Sequence, residues 1–152
     1  MLKHIWSVLC RRSVIDSDTN NISIYDIFEQ LAVDVSVSTN HPVPKQINIP
    51  IEYEVVSMWL KEDKEKEAKA NIEIEIENPE GKKEKSFQQA IEIPVGMRRL
   101  RSRVKISGFV ITMAGDYIFR VKIKEEGTEE AKVVAELPLE VNLKQVTQKT
   151  PN

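Results

Sequence analysis

The residues best suited to chemistry form a short run of cations in the second half of the chain. Alternate positions of this run carry Arg99, Arg101, Arg103 and Lys105. The positions between them are mostly apolar, which is the period-two pattern of a strand with one polar and one apolar face. Cations on one face of a strand lie about 6.6–7 Å apart, a spacing at which they can hold phosphates or an acidic partner. These four residues are therefore predicted to form an anion-binding strand.

An alternative role for these cations is stabilisation of the sheet itself. Glu73, Glu75 and Glu77 alternate with isoleucines and form a matching acidic strand face. Pairs of opposite charge on neighbouring strands are common, and exposed ones contribute only about 0.2–1 kcal/mol each. No aromatic residue interleaves with the cations to stack on bases, which argues against nucleic acid as the ligand. The sequence leaves open whether the cations pair with this acidic face or are free to bind an anion.

The segment 16–20 resembles the start of a calcium-binding loop, because oxygen-bearing side chains occupy alternate positions. The rest of the pattern is missing: Asn21 stands where glycine is needed, and Ile27 stands where a bidentate glutamate is needed. Asn tolerates a positive φ, so the same residues fit a hairpin turn between two strands. We expect a turn here and no metal site.

Other reactive residue types lack the spacing that catalysis requires. The two histidines, His4 and His41, and the single cysteine, Cys10, form no metal-binding spacing, and the five glycines are scattered singly. No Gly-x-Ser-x-Gly segment provides a serine nucleophile. We expect a non-enzymatic protein with no catalytic residue, metal or cofactor. An unrecognised hydrolase built on some of the 24 acidic residues stays open as an alternative.

Alternation of apolar and polar residues recurs through most of the chain and predicts an all-β fold. No helix-length segments alternate with the predicted strands, which argues against a parallel α/β sheet. Two of the segments, 22–28 and 33–37, can be one bent strand, although residues 24–31 also have helical spacing. The prediction is an antiparallel β-sandwich of about eight strands, immunoglobulin-like or C2-like. The strand segments are 3–11, 22–28, 33–37, 49–60, 70–77, 87–93, 101–112, 116–124 and 132–142.

Gly115 and Tyr117 stand at the entry to one of these strands. A tyrosine in this position resembles the structural corner of immunoglobulin-like sandwiches, where its hydroxyl bonds back to upstream backbone. The predicted organisation is a single domain, 1–143, followed by a flexible polar tail, 144–152. Between the strands, the segment 61–69 is predicted to be a charged loop.

The bulk composition favours a cytoplasmic protein without membrane attachment. Lys plus Arg is 22 and Asp plus Glu is 24, a balance that gives no general attraction to nucleic acid or anionic lipid. A single cysteine cannot form an intrachain disulfide, which fits a reducing compartment. The apolar run at 5–10 is too short for a membrane span and lacks the cleavage site of a signal peptide.

Two short stretches carry a family resemblance. Residues 4–10 and 22–28, together with Gly115, Tyr117 and Phe119, resemble a family of uncharacterised bacterial β-sandwich proteins. The chain departs from the family pattern at Asp26, where glycine is common, and in the charged segment 61–69. The resemblance implies an all-β cytoplasmic domain from a bacterium, and it assigns no catalytic or ligand residue.

The leading functional hypothesis is a β-sandwich interaction or accessory domain that acts through protein–protein contacts. Strand edges are the usual route for such contacts, and the partner is expected to be an unknown protein or a second copy of the chain. One alternative is an anion- or nucleic-acid-binding module that uses the cationic strand. The other is the hydrolase mentioned above.

Overall fold

The structure is a computed structural model that describes residues 1–38, 40 and 44–147. Within that part the chain forms nine strands and no helix, so the predicted all-β class is confirmed. The strands are β1 (Leu2–Ile15), β2 (Ile22–Ile27), β3 (Gln30–Val37), β4 (Ile47–Lys61), β5 (Ala68–Glu77), β6 (Lys83–Ile93), β7 (Arg99–Ile111), β8 (Gly115–Glu125) and β9 (Lys132–Thr147).

The strands form two curled sheets around one hydrophobic core. The first sheet has the order β2-β1-β4-β7, and the second has the order β3-β9-β8-β5-β6. All pairings are antiparallel except that of β3 with β9, which is parallel. The prediction of a wholly antiparallel fold is therefore wrong at this pair. The reason is that β3 continues from β2 without a reversal of the chain and so enters the second sheet alongside β9.

The chain crosses from the first sheet to the second at Phe28. Asp26 has a φ of 54°, and the Phe28 N–H donates to the Leu9 carbonyl at 2.8 Å, which ends the pairing of β2 with β1. The Phe28 ring is buried and lies 5.8 Å from the Tyr53 ring in the core. The segment 24–31 is therefore two strands joined by a buried aromatic residue, and its helical alternative is wrong.

Aromatic rings from both sheets meet in the core. Tyr53 of β4 packs edge-to-face on Phe109 and Phe119, with ring centroids 6.2 and 5.9 Å apart. Edge-to-face pairs of this kind add about 0.5–1.5 kcal/mol beyond the burial of apolar area. The Tyr53 hydroxyl donates to the Gly108 carbonyl at 3.1 Å, so its polar end is also satisfied. These contacts fix β4 against both β7 and β8.

Tyr117 closes the turn between β7 and β8. Its hydroxyl donates to the Met113 carbonyl at 3.0 Å and accepts from the Thr112 N–H at 3.1 Å. Gly115 has a φ of 132°, and a Cβ atom there would lie 2.9 Å from the side chain of Pro79. Both the backbone conformation and the close approach therefore require glycine.

The last strand is longer than the sequence indicated. β9 continues to Thr147 and pairs with β3 through Val37↔Thr147. Residues 144–147, which were expected to belong to a flexible tail, are thus hydrogen-bonded in the second sheet. β3 is the pairing partner of residues 144–147, and the polar composition of these residues did not indicate such a pairing. The rest of the expected tail, 148–152, lies outside the described residues.

We predict that Tyr117→Phe lowers the free energy of unfolding by about 1–3 kcal/mol, because it leaves the Met113 carbonyl without its donor. Urea denaturation followed by fluorescence measures the change. The matched control is Tyr25→Phe, since Tyr25 is exposed, and it should change stability by no more than about 0.5 kcal/mol. Equal effects of the two substitutions would contradict the structural role of the Tyr117 hydroxyl.

Candidate functional site

The cationic strand is β7, and it lies at the edge of the first sheet. Its neighbour is β4, with Arg101 opposite Met58 and Arg103 opposite Val56. The acidic face at 73–77 belongs to β5, which lies in the other sheet. The alternative that the cations of β7 pair with this acidic face is therefore wrong, because the two strands are not neighbours.

The acidic face of β5 is neutralised by other strands. Arg120 of β8 donates to Glu77 at 2.6 Å, and Lys122 pairs with Glu75. Lys83 of β6 lies 3.4 Å from Glu73. The hydrogen bond from Lys122 is the main cause of a lowered pKa of Glu75. The charges of β5 are thus satisfied within the second sheet.

The side chains of β7 alternate between the core and the surface. Ser102, Val104 and Ile106 are buried, whereas the cations point outward. Within the described residues, none of the four cations has a carboxylate at ion-pair distance. Arg101 is held differently, because its guanidinium donates to the carbonyl and side-chain oxygens of Asn20 at 2.8 and 2.9 Å. Arg99 and Arg103 therefore carry no fixed counter-charge in the described part of the chain, whereas Lys105 lies opposite Glu54 of β4 without forming an ion pair with it.

One backbone hydrogen bond shows which residues of β7 turn their N–H and C=O groups toward β4. The Lys61 N–H donates to the Arg98 carbonyl at 2.8 Å, so these two residues form a hydrogen-bonded pair. Hydrogen-bonded pairs recur at every second residue of an antiparallel ladder. The even-numbered residues 98–106 therefore turn their N–H and C=O groups toward β4. The odd-numbered residues 99–105 turn theirs away from it, toward the open edge.

The open edge of β7 faces a groove between the two sheets. The other wall of this groove is the edge strand β6. The volume of the groove is about 380 Å³. On the β6 side, the Oε1 atom of Gln89 is buried and has no hydrogen-bond partner within the described residues. On the β7 side, Leu100 is half-buried beside Arg101 and Arg103. The groove thus combines free backbone groups, cations and one unused acceptor, and the acidic Glu92 also lines its β6 wall.

The turn between β1 and β2 contributes to this edge. β1 and β2 pair as an antiparallel hairpin, which confirms the predicted turn. The Asp16 carboxylate accepts from the N–H groups of Asp18 and Thr19, and Asn20 has a φ of 58°. Among the residues that the structure describes, no three or more His, Cys, Asp or Glu side chains are grouped so that they could hold a metal ion. The oxygens that resembled a calcium loop are used to form the turn and to hold Arg101.

Sequence reasoning missed a buried polar cluster on the outer face of the first sheet. The Ser13 hydroxyl donates to the Glu54 carboxylate, and the Cys10 thiol donates to the same oxygen at 3.9 Å. Burial and the negative charge of Glu54 raise the pKa of Cys10 to about 11. The thiol therefore stays protonated at neutral pH and is a poor nucleophile.

A buried lysine is the second feature that the sequence did not reveal. Lys61 is 1% exposed as a residue, and its ammonium donates to the carbonyls of Lys66, Pro94 and Ile93, the latter two at 2.7 and 3.5 Å. These bonds tie the loop between β4 and β5 to the connection between β6 and β7. The charge of Lys61 is used to join two loops and is not directed toward solvent.

The two histidines differ in what the structure shows of them. The His4 ring lies edge-to-face on Trp59 at 5.3 Å, and its Nε2 is 2.7 Å from the Ser7 hydroxyl. Burial lowers the pKa of His4. His4 is therefore held by an aromatic ring and a neighbouring hydroxyl. His41 lies outside the described residues.

Compared with known proteins, the sequence matches no family model and no curated protein. In the part of the chain that the structure describes, there is no helix that could span a membrane. The assignment of a function therefore depends on the geometry of the β7 edge.

We predict that backbone amides of β7 exchange with solvent in an alternating pattern. The odd-numbered residues 101–105 should exchange fast, because their N–H groups face the open edge, and the even-numbered residues 102–106 should exchange slowly. Residue-resolved hydrogen exchange by NMR measures this. The interior strand β8 is the control, and the amides of both its odd-numbered and its even-numbered residues should be protected from exchange. Equal protection along β7 would show that its edge is covered in solution.

We predict that Cys10 reacts slowly with iodoacetamide in the folded protein. At pH 8 a pKa of about 11 instead of 9 lowers the thiolate population about 100-fold. Glu54→Gln should speed the reaction because it removes the negative charge beside the thiol, whereas the exposed Glu52→Gln should not. Alkylation followed by mass spectrometry gives the rates. A native rate equal to that in urea would contradict the burial of the thiol.

Proposed function

We propose that this protein is a non-enzymatic interaction domain that binds a partner protein through the open edge of β7. The observation that carries the proposal is that the same residues of β7 carry the charges and the free backbone groups. The odd-numbered residues 99–105 present both their cationic side chains and their backbone groups that face away from β4. Addition of a strand to an exposed sheet edge is a recurring mode of peptide recognition, in which backbone hydrogen bonds supply the affinity.

The proposal includes a class of fold and a cellular setting. Two curled sheets and the hydrogen bonds of Tyr117 support an immunoglobulin-like or C2-like sandwich. Cys10 is the single cysteine of the chain and is buried as a free thiol, which supports a reducing cytoplasm. The resemblance of residues 4–10 and 22–28 to bacterial proteins supports a bacterial source.

The partner at this edge is proposed to be a different protein. If β7 paired antiparallel with β7 of a second copy, the cations of one copy would lie opposite those of the other. Like charges directly opposite each other destabilise a strand pair. Natural edge strands use charged residues in this way to prevent pairing between copies. The charge of β7 therefore opposes self-association at this edge.

A second candidate function is the binding of a polyanion such as nucleic acid. It is favoured by Arg99, Arg103 and Lys105, which have no carboxylate partner within the described residues. Phosphate contacts of this kind depend strongly on salt concentration. This candidate does not use the open backbone of β7 or the groove beside it, and for that reason we place it second.

Site-specific photo-crosslinking tests the proposed function. A benzophenone amino acid at position 103 lies on the open edge, whereas the same amino acid at position 124 is exposed on the interior strand β8. Irradiation in cells that contain the natural partner should give a discrete protein adduct from position 103. Position 124 should give none, because β8 is flanked by β5 and β9.

The same two variants define the result that opposes the proposal. Adducts of the same proteins from both positions would indicate nonspecific contact, and adducts with nucleic acid from position 103 would favour the second candidate. Both variants should unfold at the same urea concentration as the natural protein within error, which shows that the fold is retained.

A further inference from the structure

We infer that the occupant of the β7 edge is an extended acidic segment in which Asp or Glu alternates with apolar or hydroxyl residues. This inference rests on the proposed function and specifies its ligand. It follows from the register that β7 imposes on an added antiparallel strand. Residues directly opposite each other in such a pair have side chains on the same face of the sheet.

The odd-numbered residues of β7 determine which residues of the added strand face the cations. Their N–H and C=O groups point to the open edge, so each forms a hydrogen-bonded pair with the residue opposite it. The side chain of that opposite residue then lies beside Arg99, Arg103 or Lys105 on the outer face. Carboxylates at every second position of the ligand therefore lie next to the unpaired cations. Carboxylates at the intervening positions would instead enter the groove.

The groove selects the intervening residues. Their side chains point toward a mainly polar lining, in which half-buried Leu100 offers apolar surface and the Gln89 Oε1 atom has no hydrogen-bond partner within the described residues. Apolar side chains of the ligand fit against Leu100, and a threonine or serine hydroxyl of the ligand can donate to the Gln89 oxygen. A buried acceptor without a partner is costly, so a ligand that supplies a donor gains from it.

The same pattern of pairing already occurs inside this protein. β5 has the alternating sequence Ile-Glu-Ile-Glu-Ile-Glu and lies antiparallel to β8, with Glu73 opposite Lys122 and Glu75 opposite Arg120. Ion pairs join Arg120 to Glu77 and Lys122 to Glu75. The pairing of β5 with β8 therefore shows that an alternating acidic strand fits an alternating cationic strand in this fold. β7 presents the cationic half of such a pair at an open edge.

The inference is tested with synthetic peptides and NMR titration of the full chain. The first peptide is acetyl-Thr-Glu-Val-Glu-Thr-Glu-Val-Glu-Thr-amide, in which carboxylates alternate. The second has the same composition with its four glutamates consecutive, and the third has glutamine in place of each glutamate. A single-stranded oligonucleotide is the fourth probe. Binding is measured by shifts of the β7 amides and by their hydrogen exchange.

We expect the alternating acidic peptide to bind with at least about fivefold higher affinity than either peptide control, and more weakly as salt is raised. Its binding should slow hydrogen exchange of the odd-numbered residues 101–105, which only pairing with a new strand explains. The double substitution Arg103→Thr and Lys105→Thr should weaken binding about fivefold or more, since two cations are lost. The matched control Lys124→Thr removes an exposed cation from interior strand β8 and should leave binding unchanged.

Other outcomes separate this inference from the proposed function. If the glutamine peptide binds as well and slows exchange at residues 101–105, the edge binds strands but does not select acidic ones, and only the inference falls. If the peptide with consecutive glutamates binds equally and exchange is unchanged, the cations bind charge without strand addition, and the inference again falls. If only the oligonucleotide binds, or no probe does, the inference is overturned. Oligonucleotide binding that the double substitution abolishes would also favour the second candidate function.

Discussion

The structure depends on one geometric property of an extended chain: side-chain direction and backbone hydrogen-bonding direction both alternate with period two. In an interior strand this property serves the core, since every second residue is buried and both rows of backbone groups are paired. In β7 it has a further consequence, because one row of backbone groups faces the open edge. The residues at 99–105 that point their charges outward are the same residues whose backbone groups face away from β4. Parity alone therefore brings charge and unpaired backbone together.

The same period explains why the strands of this protein could be predicted and their neighbours could not. Alternation is a local signal, and each strand segment inferred from it is a strand in the structure. Pairing is non-local, and the cations of β7 and β8 both matched the acidic residues 73–77 equally well by sequence. A signal for the correct partner was present, because Arg120 and Lys122 alternate with the apolar residues of β8. Only the spatial order of the strands decides between the two cationic faces.

Two buried charged residues show where a local reading of polarity fails. Alternation places Glu54 on the face of β4 opposite to Tyr53, where solvent is expected, yet Glu54 is buried and holds Ser13 of β1. Lys61 is on the core side, and loop carbonyls surround its ammonium. In both cases other segments of the chain contact the residue: β1 contacts Glu54, and two loops contact Lys61. Residue type and spacing within β4 contain no information about those segments, so neither site was predicted.

The charges on an open edge strand can serve to prevent aggregation or to attract a partner strand. Features of β7 favour the attraction of a partner strand. Charges on an edge strand can serve only to prevent aggregation, a task for which natural proteins also use prolines, bulges and short strands. β7 has none of these along its cationic part: it extends over Arg99–Ile111, lacks proline, and pairs regularly with β4 through residues 99–107. Its regular pairing with β4 keeps the outer row of backbone groups in line, as an added strand requires. Repulsion between copies and attraction for an acidic strand come from the same cations, so the feature that keeps this edge from self-pairing also selects its partner.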